Sequence, residues 1–109
     1  MELINAKDAM SRLNNNHKLY VMLLKKFDAE SLLDDLLTKI KDGDTAAAAV
    51  SAHTLKGLAA NLSLADLRAK SETIESRLKD GDINVDTAEI ELSVTRTTEA
   101  VNAWIEENS

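Results

Sequence analysis

The four residues Lys-Asp-Gly-Asp occur twice, at 41–44 and at 79–82, and divide the chain into segments. Each copy is typical of a helix end. A lysine suits the last helical turn, a glycine can adopt the left-handed conformation that follows it, and an aspartate can turn the chain. The flanking sequences differ, so the two copies are one stop signal used twice rather than an internal repeat.

The remaining composition favours helix almost everywhere. The 109 residues include no proline and only three glycines, and Leu, Ala, Lys, Glu and Asp dominate. Start and stop signals predict five helices, at about 5–14, 16–41, 44–62, 63–80 and 85–107. Asn5 and the cluster at 14–16 can cap the first two helices, and Ser63 with Asp66 has the spacing of a capping box for the fourth.

The second predicted helix is less regular than the others. Its first apolar stripe contains Leu19, Leu23 and Phe27. The apolar residues of its second half are rotated away from that stripe: Leu33, Leu37 and Ile40. Either this helix faces different neighbours along its length, or it breaks near 28–31.

Short connections make consecutive helices antiparallel neighbours. We therefore predict an all-α fold, an antiparallel up-down four-helix bundle with a short extra N-terminal helix, forming a single domain over residues 1–109. Tyr20, Phe27 and Trp104 are the only aromatic residues. At helical spacing they are expected in the core or at its rim rather than around a ligand.

Charge and composition exclude several classes of protein. The chain has no cysteine and a net charge of −6, which argues against disulfides, thiolate metal sites and nucleic-acid binding. The longest uncharged run, 45–52, is far too short to span a bilayer, and the N-terminus lacks the features of a signal peptide. We expect a soluble, cytoplasmic domain without membrane contact. A monomer is the simplest expectation, because the exposed face of the third helix is small rather than broadly apolar.

That face contains the most informative residues of the chain. On a helical wheel His53 lies about 160° from Leu55, which is at the centre of the buried stripe. Lys56 flanks it one turn later. The rest of the outer face consists of small apolar residues: Ala46, Ala49, Val50, Gly57 and Ala60. Propensity does not favour a glycine inside a helix, whereas close approach of a partner's backbone does. We therefore predict a flat docking surface centred on His53.

Elimination narrows the chemistry of His53. A Ser or Cys triad has no candidate nucleophile motif here, and a metal site lacks ligands, since the only other histidine is His17. No glycine-rich phosphate loop is present, so the domain is not expected to bind ATP. What remains is covalent use of the imidazole, with Lys56 stabilising an arriving phosphoryl group. The alternatives are an ordinary surface histidine or a docking module without chemistry.

The run AHTLKGLAANLS at 52–63, followed by Leu67 and Ile74-Glu75, resembles the motif of histidine phosphotransfer (HPt) domains. The resemblance covers most of the chain. It implies a helical bundle that relays phosphoryl groups between receiver domains in two-component phosphorelays, with His53 phosphorylated on Nε2, Lys56 near the phosphoryl group and Gly57 permitting close docking. The family often has glycine where this chain has Ala60 and Ser63.

The resemblance also sets expectations about cofactors and partners. It implies a phosphoryl carrier without autonomous kinase activity and without a cofactor of its own. Magnesium is expected in the acidic pocket of the partner receiver. The partners would be receiver domains of response regulators and of hybrid sensor kinases. The competing interpretation is a non-catalytic module that binds receivers through the same face.

Overall fold

The computed structural model describes residues 2–108 of the chain. All the regular secondary structure in this range is helical, in six segments: α1 (Ala6–Ser11), α2 (His17–Lys26), α3 (Ala29–Lys41), α4 (Thr45–Asn61), α5 (Ala65–Lys79) and α6 (Ala88–Asn108). The all-α prediction is confirmed. None of the helices in this range is long and apolar enough to cross a membrane.

The single helix predicted over 16–41 is wrong, and the break considered near 28–31 is confirmed. Phe27 has an extended backbone with ψ 109°, which ends α2. Asp28 then caps α3, because its carboxylate accepts hydrogen bonds from the backbone N–H of Ser31 at 3.1 Å and from the Ser31 hydroxyl at 2.8 Å. A capping aspartate thus starts a new helix directly after the first one ends.

The two Lys-Asp-Gly-Asp segments end α3 and α5 as predicted. Gly43 has φ +78° and Gly81 has φ +85°, the left-handed conformation that favours glycine. Asn5 and Asn16 also act as predicted, each accepting a hydrogen bond from a backbone N–H in the first turn of its helix. Local sequence signals therefore determine most of the helix ends.

The predicted capping box at Ser63 is wrong. Leu64, not Ser63, is the N-cap of α5, and its side chain makes no capping hydrogen bond. Ser63 instead has φ +57°, a backbone conformation that favours glycine. Its hydroxyl donates a hydrogen bond to Asp8 at 2.7 Å and accepts one from Arg12 at 2.6 Å. These contacts attach α1 to the end of α4.

Helix α4 lies between two neighbours. It packs against α3 on one side and α5 on the other, while α6 packs against α2, α3 and α5. Buried side chains from all six helices form one apolar cluster. Tyr20 is fully buried in it, and Phe27 and Trp104 pack against its edge, as predicted from their spacing. Because α4 is held on two sides, its remaining face is fixed in position and open to solvent.

Candidate functional site

His53 lies on the open face of α4, as the helical wheel predicts. Its side chain is 65% exposed, whereas Leu55, two residues later, is completely buried. Successive residues of a helix point about 100° apart, so one helix can present both side chains without distortion. The histidine is therefore accessible to another molecule, while the helix that carries it is anchored in the core.

One ring nitrogen of His53 is engaged by a buried carboxylate. The Nδ1 atom lies 2.7 Å from Oε2 of Glu75 on α5, and the Glu75 side chain is only 4% exposed. An ionised carboxylate has no proton to donate, so Nδ1–H of the histidine must be the donor. In the neutral imidazole this leaves Nε2 with an unshared electron pair. Glu75 thus selects the tautomer and fixes the orientation of the ring.

Two lysines hold the same carboxylate in its ionised form. Lys56 Nζ lies 2.5 Å from Glu75 Oε1, and Lys79 Nζ lies 3.1 Å from Oε2. Burial by itself would raise the pKa of Glu75. The hydrogen bonds from the two lysines and from the histidine outweigh burial, so the pKa is lowered from 4.5 to about 2. The carboxylate is therefore fully ionised at neutral pH.

Sequence reasoning singled out Lys56 but assigned no role to Glu75 or Lys79, the residues that meet it in this cluster. Glu75 was noted only as part of a motif. It lies next to Ile74 and four residues after Ser71, both on the buried side of α5. A carboxylate at such a position is almost never buried unless it is paired, which was a usable signal. Lys79 gave no comparable signal, because its last-turn position is already explained by the helix end.

The predicted docking residues are not all on the surface. Ala46 and Val50 are exposed, and Gly57 and Ala60 are partly buried. Val50 is notable, since 65% of this apolar residue is exposed. Ala49 was placed on the outer face and this was wrong, because it is only 8% exposed. The buried arc of α4 is wider than one stripe, since α5 as well as α3 packs against it.

A groove lies beside His53, between α4 and the C-terminal end of α5. Its volume is about 590 Å³. Ala49 and Leu78 contribute apolar walls, and the polar groups facing it come from His53, Glu75 and Lys79. Gly81, in the turn that ends α5, also lines the groove, as do Thr45, Ala46 and Val50 of α4. Ala49 is thus next to the site after all, as part of the groove wall rather than of an exposed surface.

The site is suited to nucleophilic chemistry at one nitrogen. Within residues 2–108, no group of three or more metal-binding side chains is placed to hold a metal ion. The structure therefore defines a class of protein, a helical bundle that presents one oriented imidazole beside two lysines. The hydrogen bond between His53 and Glu75 leaves the other ring nitrogen accessible, which makes the imidazole itself the candidate nucleophile.

The comparison with protein families agrees with this class. A family model described as the Hpt domain matches residues 25–107, which is well over half of the chain. The chain belongs to the Hpt domain family, whose members carry out histidine phosphotransfer in phosphorelays and interact with receiver domains. No curated protein and no solved structure matches the chain.

Proposed function

We propose that the chain is a phosphoryl carrier that accepts a phosphoryl group on His53 from a receiver-domain aspartate and passes it to a second receiver. The observation that carries this proposal is the hydrogen bond from His53 Nδ1 to the buried, ionised Glu75. It leaves Nε2 as the nucleophile on an exposed ring. An ordinary surface histidine has no reason to be oriented by a buried carboxylate.

The proposed transfer step is balanced without any external proton donor. Nε2 of His53 attacks the phosphorus, a nitrogen–phosphorus bond forms, and the bond between phosphorus and the aspartate oxygen breaks. The aspartate leaves as a carboxylate, and the Nδ1 proton stays in place. The ring becomes positively charged as it reacts, and Glu75 at 2.7 Å stabilises that charge. Lys56 balances charge on the phosphoryl oxygens.

The docking surface proposed for the receiver is the open face of α4. It contains Ala46, Val50, Gly57 and Ala60 around the histidine. Gly57 is instructive, because a Cβ built on it would meet nothing within 4 Å. The protein's own packing does not require this glycine, which supports a requirement imposed by a partner. The exposed Val50 would supply apolar contact area to that partner.

Several further features belong to this proposal. The carrier would have no autonomous kinase activity, and Mg²⁺ would be bound by the acidic pocket of the receiver, where it supplies charge neutralisation. We propose a cytoplasmic monomer, and an antiparallel up-and-down arrangement of α3 to α6. The short connections, and the packing of α4 and α6 each against both α3 and α5, support that arrangement.

The decisive experiment is phosphotransfer from a radiolabelled, phosphorylated receiver to three proteins: wild type, His53→Gln and His17→Gln. His17 is a matched control because it is the only other histidine and is also exposed. We expect acid-labile, alkali-stable label on wild type and His17→Gln, and none on His53→Gln. Label that persists on His53→Gln would contradict the assignment of His53.

The same experiment separates the alternative function. If a receiver binds the domain but no receiver in a panel transfers label, the domain is a docking module and Lys56 has no phosphoryl to stabilise. Binding can be measured by titration calorimetry on the same receivers.

A further inference from the structure

Lys79 and His53 contact the same oxygen atom of Glu75. Both His53 Nδ1 and Lys79 Nζ contact Oε2 of Glu75, at 2.7 Å and 3.1 Å. The two nitrogens are therefore no further apart than the sum of those two distances. Lys79 also lines the groove that His53 faces. A cation from the end of α5 is thus placed at the edge of the imidazole ring.

The two lysines at Glu75 are held differently. Lys56 makes the shorter contact, at 2.5 Å, and its side chain is 25% exposed. Lys79 makes a contact of 3.1 Å and its side chain is 64% exposed. A long, exposed lysine side chain rotates at little cost, whereas a packed one does not. Lys79 is therefore the lysine that can leave Glu75 when a better anion arrives.

The charge balance of the site depends on Lys79. Lys56 can donate to a phosphoryl oxygen while it still contacts Glu75, because its ammonium group has three N–H donors, but the pair of Lys56 and Glu75 has no net charge. Lys79 makes the cluster of three net positive. This matters in a chain whose total charge is −6, because the surrounding field opposes an incoming phosphoryl group and an acidic partner alike. The positive excess lies beside the one oriented nucleophile.

We propose that Lys79 is a phosphoryl-binding residue, a cation stored on Glu75 that turns to the phosphoryl oxygens of phosphorylated His53. This proposal rests on the proposed function of His53. In the phosphorylated form Glu75 keeps Lys56 and the Nδ1–H of the histidine, so the loss of Lys79 leaves no unpaired buried charge. The interaction stabilises the phosphorylated domain relative to the free one.

The contrasting explanation is an ordinary surface ion pair. Glu75 and Lys79 are four residues apart on one helix, and such pairs contribute little. On that explanation, replacing Lys79 would leave the lifetime of the phosphorylated histidine unchanged. The chain contains a matched control, because Lys41 occupies the same place in the other Lys-Asp-Gly-Asp segment. Lys41 is exposed and is not among the residues that line the groove.

The test compares Lys79→Gln, Lys79→Arg and Lys41→Gln, all in a His17→Gln background so that only His53 is modified. Each protein is phosphorylated chemically with phosphoramidate, and loss of phosphate is followed by phosphorus NMR. In the loose transition state of hydrolysis, negative charge moves from the phosphoryl oxygens toward the departing nitrogen. A cation on those oxygens therefore stabilises the phosphorylated histidine more than the transition state, and hydrolysis is slower. We expect Lys79→Gln to hydrolyse about two to five times faster, the size of one exposed charge interaction. Lys79→Arg and Lys41→Gln should match their parent.

A parallel measurement separates this proposal from the proposed function. The three variants and their His17→Gln parent are equilibrated with a phosphorylated receiver, and the phosphate distribution is measured. If transfer occurs and Lys79→Gln behaves like Lys41→Gln in both assays, the Lys79 proposal is overturned while the carrier function stands. If no receiver transfers phosphate but Lys79→Gln still accelerates hydrolysis, the carrier function fails and the role of Lys79 at the phosphorylated histidine stands.

Discussion

The two Lys-Asp-Gly-Asp segments are identical in sequence and nearly identical in local structure. In the first, the Gly43 N–H donates to the Ile40 carbonyl at 3.0 Å; in the second, the Gly81 N–H donates to the Leu78 carbonyl at 3.0 Å. Their surroundings differ completely. Gly81 lines the groove beside His53, and the lysine that precedes it contacts the buried carboxylate of the site. The same four residues end a helix in both places, and in the second place two of them also line the groove of the candidate site.

The two Lys-Asp-Gly-Asp segments show which of their contacts depend on nearby residues alone and which depend on the surroundings. Hydrogen bonds between residues five or fewer positions apart form in both copies, because they need no distant partner. The contact of Lys79 needs a carboxylate held at the right place on the same helix. The first segment has no equivalent, since the residue four positions before Lys41 is the apolar Leu37.

The largest effect on stability is expected from removing the charge of Glu75, the carboxylate that contacts Lys79 and has no counterpart at Lys41. Glu75→Gln keeps the shape and deletes the charge. In the wild type the pKa of Glu75 is about 2 in the folded protein, against an ordinary 4.5. The ionised carboxylate therefore stabilises the fold fully at pH values above 4.5, and this stabilisation is lost as the pH falls toward 2. We expect the variant to lose about 3 kcal/mol of unfolding free energy at neutral pH, and to approach wild type in strong acid. Urea denaturation across a pH series measures this.

Glu72→Gln is the control for that measurement. Glu72 lies on the same helix but is exposed, facing Arg68 at 3.6 Å, so its replacement should change the stability little at any pH. A deficit of Glu75→Gln that stays constant down to strong acid would contradict the ionised, lysine-paired state of Glu75.

A smaller effect, equal at both segments, is expected from Gly43→Ala and Gly81→Ala. A Cβ at either position meets no atom within 4 Å, so the only cost is the left-handed backbone. That conformation costs an L-residue about 1 kcal/mol, and each variant should lose that much unfolding free energy in urea. Clearly unequal losses would show that the tertiary surroundings, rather than the local sequence, stabilise the turns.

The smallest effect is expected from replacing the third glycine, Gly57, and here the unfolding free energy should rise rather than fall. Gly57 lies inside α4, and an added methyl group meets no atom of the protein within 4 Å. Gly57→Ala should therefore raise the unfolding free energy by roughly 0.5–1 kcal/mol, while weakening the binding of receivers, as calorimetry would show. A loss of stability would mean that the fold itself requires this glycine, and the docking argument would fail.

Much of the fold could be predicted from sequence. The errors arose because a periodic pattern does not show which helices pack against a given helix. The all-α class, the helix ends at Gly43 and Gly81, and the exposure of His53 follow from propensity and periodicity. Residues 16–41 were predicted as one helix, with a break near 28–31 as the alternative, because two rotated apolar stripes fit either a continuous helix with two sets of neighbours or two helices. Ala49 was misplaced because a wheel built around one stripe assumes one neighbour, whereas α4 has α3 and α5.

The sequence by itself determined most of the helices, most of their caps and the face on which His53 lies, because these depend on interactions within a few residues of the chain. Only the tertiary structure decided the chemistry of that face. Glu75 is 22 residues from His53, and their 2.7 Å contact exists because α4 and α5 pack together. No periodicity encodes such a contact. The tautomer that the buried carboxylate selects and the second lysine that it holds were visible only once the two helices were placed side by side.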